Sequence, residues 1–355
     1  MPRSSRGAGG RLTEKSSDIF KTADPCHGDV GLRVLASPGL SGEAGDPRNS
    51  DRGGGNVWEP ESCTRGAGNI PMSMANASVS FHRYQEWSPA PELAPWVSCV
   101  WTQQVAAGGR VYEHRTVPNG CTEISCAVGS GVVWVAGPQR GPIAEHLSPG
   151  TSAVGIRVRP GAAASILGVP ASALLDLRLE LDRLWGSAAS RLAERIAQAA
   201  SLRRAANLLE QELAVRAARA SAPDALVAAA IDGLQPWRAG GVGEVASDLF
   251  ISPRQMRRRF AEVLGYGPKT LQRTLRFQGF LALIHEDHAQ DGALAYFAAA
   301  AGYADQAHLT RECVRLSART PNALLREMRQ VCGIDHDHGA SLAPLRHALL
   351  GARVS

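Results

Sequence analysis

Basic side chains crowd one short segment of the chain, between Ser252 and Arg276. Its seven bases are Arg254, Arg257, Arg258, Arg259, Lys269, Arg273 and Arg276, and its one acid is Glu262. A helix that merely faces water usually mixes acids with bases, because opposite charges four residues apart stabilise it. This segment barely does so, which indicates a polyanionic partner. Arginine suits that role, since its planar fork binds O6 and N7 of guanine together, or a phosphate.

Capping residues place the first arginines on a helix. A short helix near Val242 to Asp248 is followed by a turn and then by Ser252, a typical N-cap, with Pro253 at the first helical position. Apolar residues at four-residue spacing predict the buried face of this second helix: Met256, Phe260 and Leu264. The arginines then occupy the remaining faces, which is the arrangement of a helix-turn-helix motif.

A similar unit follows further along the chain. It has an alanine-rich helix from Leu294 to Ala301, a Gly302-Tyr303 turn and a helix from Asp305, its predicted N-cap, to Leu316. The side chains expected to point outward are Gln306, His308 and Arg311, those expected inward are Leu309 and Cys313, and Arg315 and Arg319 add charge for phosphate. Between the units, Gly265 and Pro268 precede a helix over about 270–285. Its length of roughly 24 Å suits two reading helices placed near the ~34 Å repeat of the major groove.

Two runs in this region resemble the AraC/XylS family of bacterial regulators. The first extends from Ser252 through Arg258-Arg259-Phe260 to Gly265-Tyr266-Gly267-Pro268, and the second is Gly302-Tyr303-Ala304-Asp305-Gln306-Ala307-His308-Leu309-Thr310-Arg311, ending at Thr320-Pro321. The resemblance implies two helix-turn-helix motifs, control of transcription and usually a dimer. Two residues depart from the family pattern: Cys313 stands where the family favours Phe, and Ala318 replaces a usual Gly at a cap that suits positive φ.

Carried over by position, the resemblance assigns base reading to six side chains, and four further basic side chains are candidates for phosphate contact. Candidates for reading bases are Arg254, Arg257, Arg258, Gln306, His308 and Arg311, and candidates for phosphate contact are Arg259, Lys269, Arg315 and Arg319. Double-stranded DNA is the expected partner. RNA polymerase, an unidentified small-molecule effector and a second copy of the chain are further candidates, and no membrane, cofactor or metal is expected.

The remaining chain predicts an α+β protein of several parts. Residues 1–74 are rich in Gly, Pro, Ser and Arg and predict a disordered leader, so Met72 or Met74 is a candidate for the natural start in place of Met1. Residues 75–185 predict a small mainly-β sensor or regulatory domain, a sandwich or barrel, with helices beginning after Pro160. The helical domain with two helix-turn-helix motifs spans 224–330, and 331–355 is expected to be a flexible tail.

A helical linker is predicted over 186–222. Its second helix, capped by Ser201, carries a stripe of Leu202, Ala206, Leu209 and Leu213 that packs either within its own domain or on a second copy. Upstream, the runs Val117-Pro118-Asn119-Gly120-Cys121, Ala136-Gly137-Pro138 and Val158-Arg159-Pro160-Gly161-Ala162 resemble an uncharacterised N-terminal domain found fused to such regulators. By analogy, that domain senses a ligand or mediates dimerisation.

Rival interpretations have weaker support in the sequence. The seven cysteines include no Cys-x-x-Cys pair, which argues against a disulfide framework or a four-cysteine zinc site and favours reduced thiols in the cytoplasm. A cupin-like enzyme would need clustered ligands, but His82, His114 and His146 stand apart in sequence. Cys121 and Cys126 could form a redox switch, although apolar strands more often bury cysteines as small core residues.

Two further alternatives remain. The run Asp335-His336-Asp337-His338 could loosely hold a divalent metal, but a solvated polar tail is favoured. The serious alternative to a regulator is an adaptor that binds proteins instead of DNA through the same helices. An adaptor would keep its function when Arg254 and Arg258 are changed to alanine.

Overall fold

The computed structural model describes residues 82–238, 240–286, 294–328 and 336–351. The predicted leader over 1–74 and both candidate starts therefore lie outside the described residues. The described chain is α+β, as predicted, with strands grouped in its N-terminal half and helices dominating the rest.

The N-terminal half is built on an open seven-stranded sheet. The strands are β1 (His82–Trp87), β2 (Val97–Val105), β3 (Tyr112–Thr116), β4 (Thr122–Ala127), β5 (Val133–Ala136), β6 (Ile143–Leu147), β7 (Ser152–Val158), β8 (Arg178–Glu180) and β9 (His336–Asp337). The large sheet has the order β8-β5-β4-β7-β2-β1-β9, and β3 and β6 form a separate pair. Its pairs are antiparallel except for β1 with β9, which run parallel.

Helices cover one face of this sheet. They are α1 (Ala163–Leu167), α2 (Asp182–Trp185), α3 (Ser187–Ala197) and α4 (Leu202–Ala217). Val154, Ile156 and Val158 alternate on β7 and are fully buried in the same apolar cluster as Leu209 and Leu213 of α4. The predicted sandwich or barrel is thus wrong, because helices and not a second sheet bury the apolar face.

The leucine stripe of α4 packs within its own domain. Ser201 caps this helix as predicted, since its side chain accepts from the Arg204 amide. Because Ala206, Leu209 and Leu213 are fully buried against the sheet, this stripe is not exposed for a second copy.

The opposite face of the sheet carries polar and aromatic side chains. Arg157 projects from it on β7 with its side chain only 19% exposed, so this face of the sheet is also covered. Gly155 lies under the indole of Trp101, and a Cβ there would stand 2.3 Å from the ring. Only glycine fits at this point.

The C-terminal half is helical. Its helices are α5 (Ala225–Gly233), α6 (Val242–Asp248), α7 (Pro253–Leu264), α8 (Pro268–Glu286), α9 (Leu294–Ala300), α10 (Gln306–Ser317), α11 (Pro321–Glu327) and α12 (Gly339–Gly351). Two apolar clusters result, one around α5 to α7 and one around α9 to α11. The long helix α8 joins them, since Leu271 and Leu275 belong to the first cluster and Phe277 and Phe280 to the second.

The prediction of a flexible tail over 331–355 is wrong for residues 336–351. β9 extends the sheet by pairing with β1, and α12 buries Leu342 and Leu349, the latter in the cluster of the second helix-turn-helix unit. The helical pattern over Gly339–Gly351 is short, and Pro344 interrupts it. Apolar burial against two domains stabilises this segment, and neither contact is visible in local sequence.

The two halves meet at the Pro118-Asn119-Gly120 turn. The Gln278 side-chain amide of α8 donates to the carbonyl of Pro118 at 2.8 Å. Gly120 has φ +80, and a Cβ there would meet Leu271 of α8 at 3.0 Å. A second contact joins Ser172, whose hydroxyl donates to the Glu262 carbonyl at 2.6 Å.

Candidate nucleic-acid interface

The helix α7 begins as the sequence predicts. Ser252 accepts from the Gln255 amide at 3.2 Å, and the Gln255 side chain accepts from the Ser252 amide at 2.8 Å, so two otherwise unpaired amides are satisfied. The helix ends at Gly265, whose φ of 83 is the left-handed conformation that glycine adopts easily.

One face of α7 is core and the other is cationic. Met256, Phe260 and Leu264 are completely buried. The three predicted base-reading side chains, Arg254, Arg257 and Arg258, are all exposed. Within the described ranges no carboxylate forms a salt bridge with any of the three, so their charges are available to a ligand.

Two of the seven bases are balanced inside the protein. Arg259, a predicted phosphate contact, forms a 2.8 Å ion pair with Asp224, the N-cap of α5. Arg273 binds Glu312 with two parallel hydrogen bonds. The cationic surface is therefore narrower than the sequence count suggests and is centred on the exposed side of α7.

The helix α10 has the same construction. Its predicted cap, Asp305, accepts from the His308 amide at 2.6 Å. Gln306 and Arg311 are exposed, whereas His308 is half-buried with its ring edge against Tyr303, 5.2 Å between centroids. The structure thus leaves Gln306 and Arg311 open, and holds His308 against its own domain.

The other three predicted phosphate contacts differ in their surroundings. Lys269, in the first turn of α8, and Arg315 are exposed. Arg319 lies 3.7 Å from Glu327 and 3.8 Å from Glu113. Two carboxylates thus compete with any phosphate for Arg319.

The two departures from the family pattern are accommodated differently. Cys313 is fully buried in the apolar cluster of the second unit, at the inward position that the sequence predicts. Ala318 has φ 56, so the chain adopts the left-handed conformation there although the residue is not glycine. That conformation costs a non-glycine residue about 1–2 kcal/mol.

Sequence reasoning missed an aromatic residue in the first helix-turn-helix turn. Phe250, between α6 and α7, is 97% exposed and has φ 55. A large apolar residue in the middle of a turn, where glycine or asparagine is usual, is the sequence feature that could have identified it.

A polar cluster lies apart from both reading helices, on the second face of the sheet. His82 Nδ1 is 2.6 Å from His336 Nε2, and the Gln103 side-chain nitrogen lies 2.9 Å from His82 Nε2 and 3.1 Å from His114 Nδ1. These histidines are isolated in sequence, and β9 brings His336 to them. The expectation of a solvated Asp335-to-His338 tail is therefore wrong at His336.

No metal site follows from this cluster. Within the described ranges, no three His, Cys, Asp or Glu side chains converge in a way that could hold a metal ion. Burial raises the pKa of both Cys121 and Cys126 to about 11, so these thiols are poor nucleophiles at neutral pH. The core interpretation of these cysteines fits the structure better than a redox switch.

In the part of the chain that the structure describes, no helix is both long and apolar enough to cross a bilayer.

Comparison with known proteins identifies two domains. Residues 245–327 match a helix-turn-helix domain family, and residues 85–180 match a domain family of unknown function, DUF6597. The second match covers the sheet up to β8, and the first extends from α6 to α11. No curated protein matches the chain.

Solved structures of ToxT from Vibrio cholerae align with the chain at low similarity. A 1.65 Å structure is 9% identical over 69% of this chain and 97% of that chain, with a TM-score of 0.37. ToxT from Vibrio cholerae O395 is 11% identical over 70% and 97%, with a TM-score of 0.34. Wild-type ToxT bound to an unsaturated fatty acid is 9% identical over 72% and 97%, with a TM-score of 0.35.

The match to the helix-turn-helix family agrees with the geometry of α6 to α11. Residues of the two family-like runs, among them Ser252, Gly265 and Asp305, lie at the caps of those helices. The chain therefore carries an AraC-type helix-turn-helix domain, the DNA-binding domain of transcription regulators, behind an N-terminal domain of unknown function.

Proposed function

We propose that the protein binds a specific DNA sequence by placing α7 and α10 in two adjacent segments of the major groove. The observation that carries this proposal is the open cationic face of α7, where Arg254, Arg257 and Arg258 are exposed without carboxylate partners among the described residues. Exposed arginines near the start of such a helix can reach guanine edges, which present two acceptors to one guanidinium.

The second unit contributes different chemistry. Gln306 suits adenine, whose N6 and N7 offer a donor and an acceptor, and Arg311 suits guanine or phosphate. His308 is assigned a smaller share of reading because its ring lies against Tyr303. Lys269 and Arg315 would contact phosphates and so set the register of the protein on the duplex.

The experiment is selection of bound duplexes from a random pool by the full chain at about 150 mM salt, a fixed concentration being necessary because phosphate contacts are salt-dependent. The full chain is required because α12 supplies Leu349 to the core of the second unit. Two enriched half-motifs about one helical turn apart are the expected result.

A matched pair of variants separates the regulator from the adaptor. Changing Arg254 and Arg258 to alanine should abolish enrichment, whereas changing Arg204, an exposed arginine on α4, should leave it intact. If the Arg254 and Arg258 variant behaves like wild type, or if the chain binds no duplex, the adaptor interpretation replaces this one.

The localisation, the oligomeric state and the remaining partners are part of this proposal. A cytoplasmic regulator that contacts RNA polymerase and acts as a dimer is proposed by analogy with the domain family. The stripe of α4 does not support dimerisation, since it is buried against the sheet. A dimer would need another surface, and light scattering of the full chain tests its existence.

A further inference from the structure

Phe250 lies in the turn between α6 and α7, with its ring in solvent. It is 97% exposed, whereas the other exposed large apolar side chains of the described residues are between 45% and 55% exposed. Its neighbours Leu249 and Ile251 pack against the apolar cluster of the first helix-turn-helix unit. The ring of Phe250 therefore buries no surface in the fold, and folding gives no reason for an aromatic residue here.

The backbone of Phe250 adopts the left-handed conformation, with φ 55. Its amide donates to the Ser247 carbonyl at 2.9 Å, and the Ile251 amide donates to the Ala246 carbonyl at 3.0 Å. These two bonds close the end of α6 as a Schellman motif, in which the left-handed residue is usually glycine. A phenylalanine at this position is strained.

The second unit closes its first helix in the same way but uses glycine. The Gly302 amide donates to the Ala299 carbonyl at 3.2 Å, and the Tyr303 amide donates to the Ala298 carbonyl at 2.9 Å. Gly302, with φ 78, is thus the counterpart of Phe250. Because the same turn forms around glycine in this chain, the fold does not require the ring of Phe250. A residue that is both strained and almost fully exposed indicates a role outside folding.

Phe250 borders the cationic face of α7. It precedes Ser252, the N-cap of α7, by two residues and Arg254 by four. The segment from Phe250 to Ala261 contains four arginines, three of them exposed, and no acid. The nearest acid along the chain, Asp248, belongs to α6 on the other side of the turn. The partner closest to the ring is therefore the polyanion that these arginines would bind.

The turn of a helix-turn-helix motif lies at the edge of the major groove. On DNA, the second helix enters the groove by its first residues while the first helix crosses the backbone, so the turn joins these two regions. The four residues of chain from Phe250 to Arg254 span at most about 14 Å, which is the rise of about four base pairs. The ring would thus lie within about four base pairs of the base that Arg254 reads.

The chemistry of the ring selects one group on the duplex. Phenylalanine has no hydrogen bond to offer to a base edge or a phosphate. The apolar group in the major groove is the C5-methyl of thymine, and phenylalanine is among the side chains that contact it. Burial of one such group is worth about 0.8 kcal/mol, which is about a fourfold change in affinity.

We propose that Phe250 is a specificity-determining residue that contacts the methyl group of a thymine in or beside the half-motif read by α7. This inference rests on the proposed DNA-binding function and adds to it an apolar contact that the arginines and Gln306 do not supply. The strained turn is then retained because the ring acts in the complex with DNA, at a cost in the stability of the free protein.

The test uses the full chain and the duplex that it selects. The half-motif of α7 is the one in which Arg254→Ala changes the base preference. Each thymine within about four base pairs of that position is replaced singly by deoxyuridine, which lacks only the methyl group. One of these replacements should weaken binding by the wild-type chain about fourfold.

Phe250→Gly is the matched variant, because glycine occupies the same turn at Gly302. It should raise the unfolding temperature and yet bind the selected duplex about fourfold more weakly, or worse. It should also be insensitive to the deoxyuridine replacement that weakens wild type, so the two changes are not additive. Val215→Ala shortens an exposed apolar side chain on α4 and should keep both the affinity and the sensitivity of wild type.

This coupling separates a contact from an indirect effect. A change that merely displaced α7 would weaken the thymine and deoxyuridine duplexes equally, and this result would overturn the contact. Loss of an apolar contact should leave the salt dependence of binding unchanged, whereas a lower salt slope would mean that phosphate contacts had been lost instead.

The inference is also overturned if no thymine lies in that window, if every deoxyuridine duplex binds wild type like the selected duplex, or if Phe250→Gly lowers the unfolding temperature. If Phe250→Gly keeps the wild-type affinity for DNA, the ring belongs to a protein contact and not to a DNA contact. These results all require that wild type selects a duplex. If it selects none, the proposed DNA-binding function itself fails and takes this inference with it, so the two failures are distinct.

Discussion

Arg273 of α8 and Glu312 of α10 face each other in a fork of two parallel hydrogen bonds, 2.7 and 2.9 Å long. The Glu312 side chain is 11% exposed and the Arg273 side chain 34%. This pair fixes the second reading helix to the long helix that both units share. Arg273, one of the seven bases between Ser252 and Arg276, therefore has a structural role.

Breaking this pair should destabilise the second unit. Arg273→Met leaves the Glu312 carboxylate buried without its partner, at a cost of about 1–3 kcal/mol. The double change with Glu312→Met should recover much of that loss, because two apolar groups replace the pair. Urea unfolding of the single and double variants measures the coupling, and additive effects would show that the pair contributes no interaction energy.

The exposed bases should separate into two classes in DNA binding. Arg254→Ala and Arg258→Ala should cost about 1–3 kcal/mol and relax the preference at one base position each. Lys269→Ala and Arg315→Ala should weaken binding evenly across sequences and reduce the salt slope by about one. Titrations of the selected duplex and of single-base variants at several salt concentrations distinguish the classes. Equal behaviour of all four variants would contradict the assignment.

A glycine at the second-unit cap should stabilise the protein. Ala318 adopts φ 56, so Ala318→Gly removes a strain of about 1–2 kcal/mol, less the larger entropy that glycine loses on folding. Ala261→Gly, on the exposed side of α7, is the matched control and should destabilise by about 1 kcal/mol. Thermal unfolding should shift in opposite directions for the two variants, and a shared direction would disprove strain at Ala318.

Stability should fall as the pH drops below neutrality. The pKa of His82 is lowered to about 3 in the folded protein, first by burial, whereas the unfolded chain has the ordinary value of 6.5. Protons therefore bind the unfolded state first, and this histidine alone should cost about 2 kcal/mol between pH 6.5 and about pH 5. The loss should level off near the folded pKa.

Unfolding in urea at pH 7.5 and at about pH 5 measures this loss of stability. His82→Gln should lose less stability over this range than wild type. His146→Gln, an exposed histidine, should behave as wild type does. An equal pH dependence in all three proteins would sink the prediction.

Deleting residues 336–355 should destabilise the chain. The deletion exposes the partners of Leu342 and Leu349 and removes the Ser341 amide that donates to Glu86 at 3.0 Å. Loss of two buried leucines costs about 3 kcal/mol or more. Deleting 352–355 alone is the control, and calorimetry of both forms reads the difference. An unchanged unfolding temperature in the longer deletion would mean that the segment contributes nothing.

Local sequence determined the reading helices in detail. Ser252, Pro253 and Asp305 act through atoms a few residues away, so caps and buried stripes of α7 and α10 could be predicted from the sequence. The same holds for β7, where the alternation of Val154, Ile156 and Val158 marks the apolar face of the sheet. Local rules suffice wherever the contact partner is close along the chain.

Tertiary structure decided which of these residues remain available. Arg259 meets Asp224 across 35 residues of chain, and His82 meets His336 across 254. Pairs so distant depend on how whole elements pack, which neither spacing nor residue type encodes. The cavity between the sheet, α8 and α12 exists for the same reason, because its walls come from three separate parts of the chain that burial of apolar surface brings together.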